Sequence, residues 1–112
     1  MLLLGNLTYS QNEIVGKWES QETGNCIEIY NQNNMFFGEI IKVSDDEHQN
    51  EIGHILLNNL IFNISTKRYE GEVKSTSGMT ANCEIQLINQ SKFQLTVKKL
   101  FIRKTQIFIR IE

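Results

Sequence analysis

The sequence predicts an all-β protein, a small antiparallel up-and-down β-barrel of about eight strands. Three observations point there. Fifteen isoleucines and six phenylalanines stand beside one alanine (Ala81) and no proline, and β-branched and aromatic side chains suit a pleated surface better than a helix. Short apolar-alternating runs recur along the chain, with turn residues drawn from twelve asparagines and seven glycines between them. The runs also pair in registers that keep one face apolar throughout. At 112 residues the chain holds one core and is too short for two.

In chain order, strands are expected at about Val15–Ser20, Cys26–Asn31, Met35–Val43, Leu60–Ser65, Arg68–Lys74, Thr80–Leu87, Lys92–Lys98 and Thr105–Ile111, with a shorter segment, His54–Leu57, before the fourth. The first carries the sole tryptophan, Trp18. The second and third alternate around "NQNN", and a turn over Asn31–Asn34 sets Ile29 against Phe36 and Ile27 against Gly38, with Glu28 and Glu39 on the other face. The fifth and sixth join through Ser75–Met79, which sets Tyr69 against Ile85, Gly71 against Cys83 and Val73 against Ala81. A tight turn at Asn89–Ser91 then sets Leu87 against Phe93 and Ile85 against Leu95. The inward set is Trp18, Ile27, Ile29, Phe36, Ile40, Phe62, Tyr69, Val73, Ile85, Leu87, Phe93 and Leu95. One polar insertion, "SDDEHQNE" at Ser44–Glu51, is expected to be a mobile loop that binds no metal tightly, since its spacing matches neither an EF-hand nor a zinc site.

Lipid-facing strands would need apolar residues outside, whereas Glu28, Glu70, Glu72, Lys74 and Glu84 point away from the apolar face. No apolar run approaches the roughly 18 residues of a spanning helix. The expectation is a water-soluble barrel. Net charge is −2, but residues 91–112 hold six basic side chains and one acidic, while the rest of the chain holds five basic and twelve acidic. Lys98, Lys99, Arg103 and Lys104 therefore form either a patch for an anionic partner or a solvated rim facing the acidic half of the same barrel. No aromatic platform or nucleic-acid motif accompanies them, so no nucleic acid is expected.

"IVGKW" places Gly16 two residues before Trp18, and Arg110 lies near the end of the last strand. A Gly-x-Trp on the first strand with an Arg on the last resembles the closing motif of calycin barrels such as lipocalins. In a closed barrel the first and last strands are neighbours, so a guanidinium can cover the indole and contribute about 0.5–2 kcal/mol of cation–π attraction. Gly16 permits the close approach and the bend. Arg110 is the expected cover and Arg103 the second candidate.

Longer stretches narrow the resemblance. "GKWESQETGNCIEIYNQNNMFFGEIIKV", "GHILLNNLIFNISTKRYEGEV", "ANCEIQLINQSKFQLTV" and "RKTQIFIRI" are together similar to domain of unknown function family 2147, small exported bacterial proteins. The resemblance runs from about Glu13 to Glu112. It departs at Phe108, where a Trp is usual, at "LFIRKTQ", which lacks a Gly before the terminal strand, and at "KSTSGM", which replaces an Asp-Pro turn. It implies a barrel core and lends no activity, because the family has none established.

No catalytic residues are expected. The histidines, His48 and His54, lie in or beside the polar insertion, and no Gly-x-Ser-x-Gly elbow exists. Glu70 and Glu72 share a convex exterior face, not the cleft that paired glycosidic carboxylates need. No cofactor and no metal are expected. A Cys26–Cys83 disulfide would contribute about 4 kcal/mol in the chain-entropy model, but the register puts Cys83 inside and Cys26 outside, which favours two separate thiols. The readings of function are a non-enzymatic exported barrel binding a small apolar molecule or another envelope component, a solid barrel acting through its basic carboxy-terminal rim, and, least supported, a hydrolase. Trp18, Phe36, Tyr69 and Phe93 are the expected ligand-facing residues, and Gly16, Trp18 and Arg110 the closure.

Residues 1–10 are expected to be a signal-peptide remnant or an apolar arm, and 11–112 the barrel. Leu2–Leu4 resembles the end of an apolar signal region, and Thr8-Tyr9-Ser10 offers small residues for cleavage. The native protein is accordingly expected in the periplasm or outside the cell, beginning near Gln11. Intact-mass spectrometry checks this; Met1 retained in a cytosolic fraction contradicts it.

Overall fold

A computed structural model of the chain describes residues 11–112; the expected signal remnant at residues 1–10 lies outside the described residues. Eight strands form one closed antiparallel barrel in sequence order: β1 (Gly16–Ser20), β2 (Cys26–Gln32), β3 (Met35–Lys42), β4 (Ile55–Asn63), β5 (Arg68–Lys74), β6 (Thr80–Asn89), β7 (Lys92–Lys99) and β8 (Ile102–Arg110). Closure is the β1–β8 seam, where Trp18 lies opposite Arg110 and Ser20 opposite Phe108.

The alternation read from the sequence appears as burial. Ile27, Ile29, Phe36, Ile40, Tyr69, Ile85, Phe93 and Leu95 are buried, and Phe62, Val73 and Leu87 pack partly buried against them. Ile14, Val43, Leu57, Leu60 and Phe108 complete the core. Tyr69 meets Ile85 and Leu87 meets Phe93, in the registers expected for those hairpins. The β2–β3 register differs by two residues: Ile27 pairs with Ile40 and Ile29 with Gly38. Its turn is only Asn33-Asn34, both left-handed at φ 55° and 68°, the geometry of a two-residue hairpin loop that asparagine tolerates. A shift of two preserves both faces, because side chains alternate with period two.

Three further expectations are corrected. His54–Leu57 and Leu60–Ser65 are parts of one strand, β4, interrupted by a register shift between Asn58 and Ile61. Asn59 takes φ 55° there, and Gly71 on β5 lies so close that a Cβ would sit 2.6 Å from the Asn58 carbonyl oxygen. The bulge broke the apolar alternation, so one strand read as two. Second, β8 begins at Ile102, three residues before the expected Thr105. Its first residues pair only with β7, since Ser20, the end of β1, lies opposite Phe108; with no core to face, the overhang shows no alternation. Third, Ser44–Glu51 is not irregular. Asp46–Glu51 forms a 3-10 helix capped by Asp45, whose side chain accepts from the His48 backbone N–H.

Cys26 keeps the outward register expected of it, opposite Glu19 and Lys42, but its side chain is covered there and buried, outside the core cluster. Both cysteines are free thiols. No helix among the described residues is long and apolar enough to cross a membrane, and Glu28, Glu70, Glu72 and Lys74 are exposed on the outer face.

On that face Glu84 joins three strands. It accepts from Arg68 on β5 at 2.7 Å and from Lys98 on β7 at 3.0 Å. The hydrogen bond and charge of Lys98, with Arg68 beside it, hold its carboxyl below the usual range. A lowered folded-state pKa stabilises above the unfolded value and is lost as pH falls through the folded one. Glu84→Gln is therefore expected to cost about 1 kcal/mol at neutral pH, with the difference from wild type shrinking in urea melts as pH falls below the ordinary glutamate range of about 4.

Candidate functional site

The barrel has two unlike ends. The base is sealed. Residues 11–14 cross it in a turn, with the Val15 N–H donating to the Asn12 carbonyl and Ile14 wholly buried. Trp18 Nε1 donates to the Ile14 carbonyl at 2.9 Å and the Tyr69 hydroxyl to the Gln11 carbonyl at 2.6 Å. Burial, with the nearby Glu13 charge, raises the Tyr69 phenol far above its ordinary range, so it stays a donor.

Arg110 locks this end. Its guanidinium lies over the Trp18 ring, 4.2 Å from the centroid. Nε donates to the Gln90 carbonyl at 2.6 Å, Nη1 to Val15 at 3.0 Å, and Nη2 to Glu13. One side chain thereby joins the amino-terminal turn, the β6–β7 turn and the seam. The second candidate, Arg103, pairs with Lys98 at the opposite end of the barrel. Gly16 supplies the space: it takes φ 145°, and a Cβ there would lie 2.5 Å from Arg110 Nη1 and 2.7 Å from the Glu112 carbonyl oxygen. Both conditions select glycine.

Inside the base, aromatic rings fill the space. Trp18 meets Phe93 edge-on at 4.6 Å, Phe93 stacks on Phe108 at 4.9 Å, and Tyr69 contacts Phe36 at 5.3 Å and Phe62 at 5.0 Å. The four residues expected to face a ligand, Trp18, Phe36, Tyr69 and Phe93, are thus packed on one another and are at most 2% exposed. None lines the cavity at the other end.

That cavity, about 240 Å³, opens at the mouth. Ile27, Ile40, Leu56 and Phe108 are its apolar lining. Ser20, Thr23, Asn25, Glu51, Ser75, Thr76 and Gln106 ring it with polar groups. The β1–β2 loop, the capped 3-10 helix and the β5–β6 turn supply most of the rim. Sequence reasoning named Ile27 and Ile40 as inward but missed Leu56 and Phe108 as lining. Phe108 lies on the expected last strand, but nothing in the sequence marked it as lining the cavity.

The titratable groups do not converge. His48 Nδ1 lies 2.7 Å from Asp45 Oδ1, which raises the imidazole pKa and lowers that of the carboxylate. The His54 ring instead bonds the Lys74 carbonyl at 2.7 Å. Burial pushes the Cys83 thiol up to about 12, and desolvation raises Cys26 as well, so both are poor nucleophiles. Among the described residues no three His, Cys, Asp or Glu side chains gather as a metal site would require.

An eight-stranded antiparallel barrel in up-and-down order, sealed by its amino-terminal segment and open at one mouth, is a lipocalin-like architecture. The solved structure of protein HP1028 from the human pathogen Helicobacter pylori, described as belonging to the lipocalin family, matches it with a TM-score of 0.70 over 88% of this chain and 83% of that one, at 16% identity. Such identity speaks to the fold alone. No family model and no curated protein matches the chain, so the narrower resemblance to family 2147 gains no support, while the lipocalin-like barrel stands.

Removing the clamp tests the base. Trp18→Ala is expected to cost about 3–5 kcal/mol and Arg110→Ala about 1–3 kcal/mol, from lost stacking and orphaned carbonyls. In a urea double-mutant cycle the two should be non-additive by about 0.5–3 kcal/mol; additivity would mean that the guanidinium does not act through the indole.

Proposed function

We propose that the protein is a non-enzymatic binder of a small, predominantly apolar molecule, held at the mouth of the barrel. The observation that carries this reading is the cavity with an apolar lining and a polar rim. Its volume lies below the roughly 300–1,000 Å³ of drug-sized pockets, and the close-packed aromatic layer under it prevents deep insertion. The ligand is therefore short, with its apolar end on Phe108 and Leu56 and any polar end among Ser20, Thr76 and Gln106. Glu51 on the rim disfavours a carboxylate-bearing ligand, since like charges repel at short range. The lipocalin-like fold supports binding over catalysis by analogy, and the Leu2–Leu4 run supports a place outside the cytoplasm.

A second reading, an interaction surface at the basic carboxy-terminal rim, is supported by the exposure of Lys99, Arg103 and Lys104 around the β7–β8 turn.

A neutral naphthylamine fluorophore tests the first reading. Its emission is expected to rise on mixing with the protein, and Leu56→Trp, which fills the cavity, should weaken uptake at least about tenfold, as loss of an apolar site worth 1.4 kcal/mol or more would. Unchanged uptake by a folded Leu56→Trp variant overturns the reading.

A further inference from the structure

The β7–β8 turn contradicts the logic of the rest of the surface. Leu100, Phe101 and Ile102 are 93%, 102% and 73% exposed. Three consecutive large apolar residues in water serve no packing role, and such exposure marks an interaction site. The backbone agrees. Lys99 pairs with Ile102, so Leu100-Phe101 is a two-residue loop, and Leu100 sits at φ 55°. Bulky residues rarely adopt that conformation, and the chain's own β2–β3 turn meets the same demand with Asn33-Asn34. Leu100 thus combines an unfavourable conformation with full exposure, a cost that folding alone does not explain.

Charge names the contact. The turn lies between Lys98-Lys99 and Arg103-Lys104. Lys98 is occupied by Glu84. Lys99 donates to the Thr80 carbonyl at 2.5 Å, which leaves its charge uncompensated. Lys104 stands 4.0 Å from Glu22, both exposed, and Arg103 has no ion-pair partner among the described residues. The tip therefore presents apolar side chains ringed by cations on a chain whose net charge is −2. A surface that is anionic and, directly beneath the charge, apolar complements both features together. A bilayer of anionic lipid is such a surface: cations beside it are drawn to the headgroups, and apolar side chains enter the headgroup boundary to about 5–10 Å.

We propose that the β7–β8 turn docks the barrel on an anionic lipid surface, with Leu100, Phe101 and Ile102 inserted at the interface and Lys99, Arg103 and Lys104 among the headgroups. β8 begins six residues before its first pairing with β1, at Phe108, so the turn stands beyond the end of that strand. Docking at this end turns the mouth toward the membrane, where apolar molecules are concentrated. The proposal deepens the second reading of function by naming its partner, and it does not depend on ligand uptake.

Co-sedimentation with phosphatidylcholine vesicles, with and without phosphatidylglycerol, tests it. The protein is expected to sediment with the anionic vesicles, weakly or not at all with the neutral ones, and less as salt is raised. Leu100→Gly with Phe101→Asn suits a two-residue turn in which only the first residue takes positive φ, so its melting temperature should not fall while vesicle binding is lost. Arg103→Ser with Lys104→Ser should weaken partitioning roughly tenfold or more. Naphthylamine uptake by the turn variant without vesicles should be unchanged, which separates this proposal from the ligand reading. No binding to anionic vesicles, or equal binding by the folded turn variant, overturns it. So does self-association abolished by the same variant, which assigns the tip to a second copy, or equally tight binding to polyglutamate, which assigns it to an acidic polypeptide.

Discussion

The barrel depends on one contact, the guanidinium of Arg110 over the indole of Trp18. The first and last strands meet over only three residue pairs, from Trp18–Arg110 to Ser20–Phe108, a short seam for a ring of eight strands. Arg110 strengthens it with a cation–π contact and three bonds to main-chain carbonyls of two segments, the amino-terminal one and the β6–β7 turn. One side chain thereby ties the amino-terminal segment and the β6–β7 turn to the seam. Gly16 is the condition for this contact, since any Cβ there would occupy the place of Nη1.

Sealing the base concentrates the large rings there and leaves the mouth to smaller, partly polar groups. Below, Trp18, Phe93, Phe108, Tyr69, Phe36 and Phe62 interlock. Above, the strands separate around a cavity that Phe108 floors and short turns surround. Phe108 belongs to both regions, stacked on Phe93 and lining the cavity. A close-packed base and an open mouth thereby divide along the barrel axis.

The lopsided charge divides in the same way. The sequence left open whether the basic end was a patch for a partner or a rim facing the acidic half of the barrel, and the structure divides its cations between paired and unpaired. Lys98 answers Glu84, Arg110 is committed to the base, and Lys104 stands at the limit of an ion pair with Glu22. Lys99 and Arg103 stay uncompensated beside Leu100–Ile102, which is why the turn, and not the whole carboxy-terminal rim, has the character of a contact surface.

The sequence by itself determined the strand faces, the hairpin order and the closing pair. A two-residue period survives a register error, so moving the β2–β3 pairing by two left Ile27, Ile29 and Ile40 inside; Trp18 and Arg110 were legible because closure must make the first and last strands neighbours. Only the tertiary structure decided where the interior is full and where it is empty. Trp18, Phe36, Tyr69 and Phe93 are inward, as the alternation says, yet inwardness does not distinguish a ring that faces a cavity from one that faces another ring. That depends on height along the barrel axis, set by strand stagger, by the bulge at Asn58–Asn59 and by the turn at residues 11–14 that plugs one end. The same limit hid the overhang of β8: its first residues face no core, so no apolar alternation marks them. Hydrophobic periodicity records which face meets the core, and is silent about how far along the barrel the core extends.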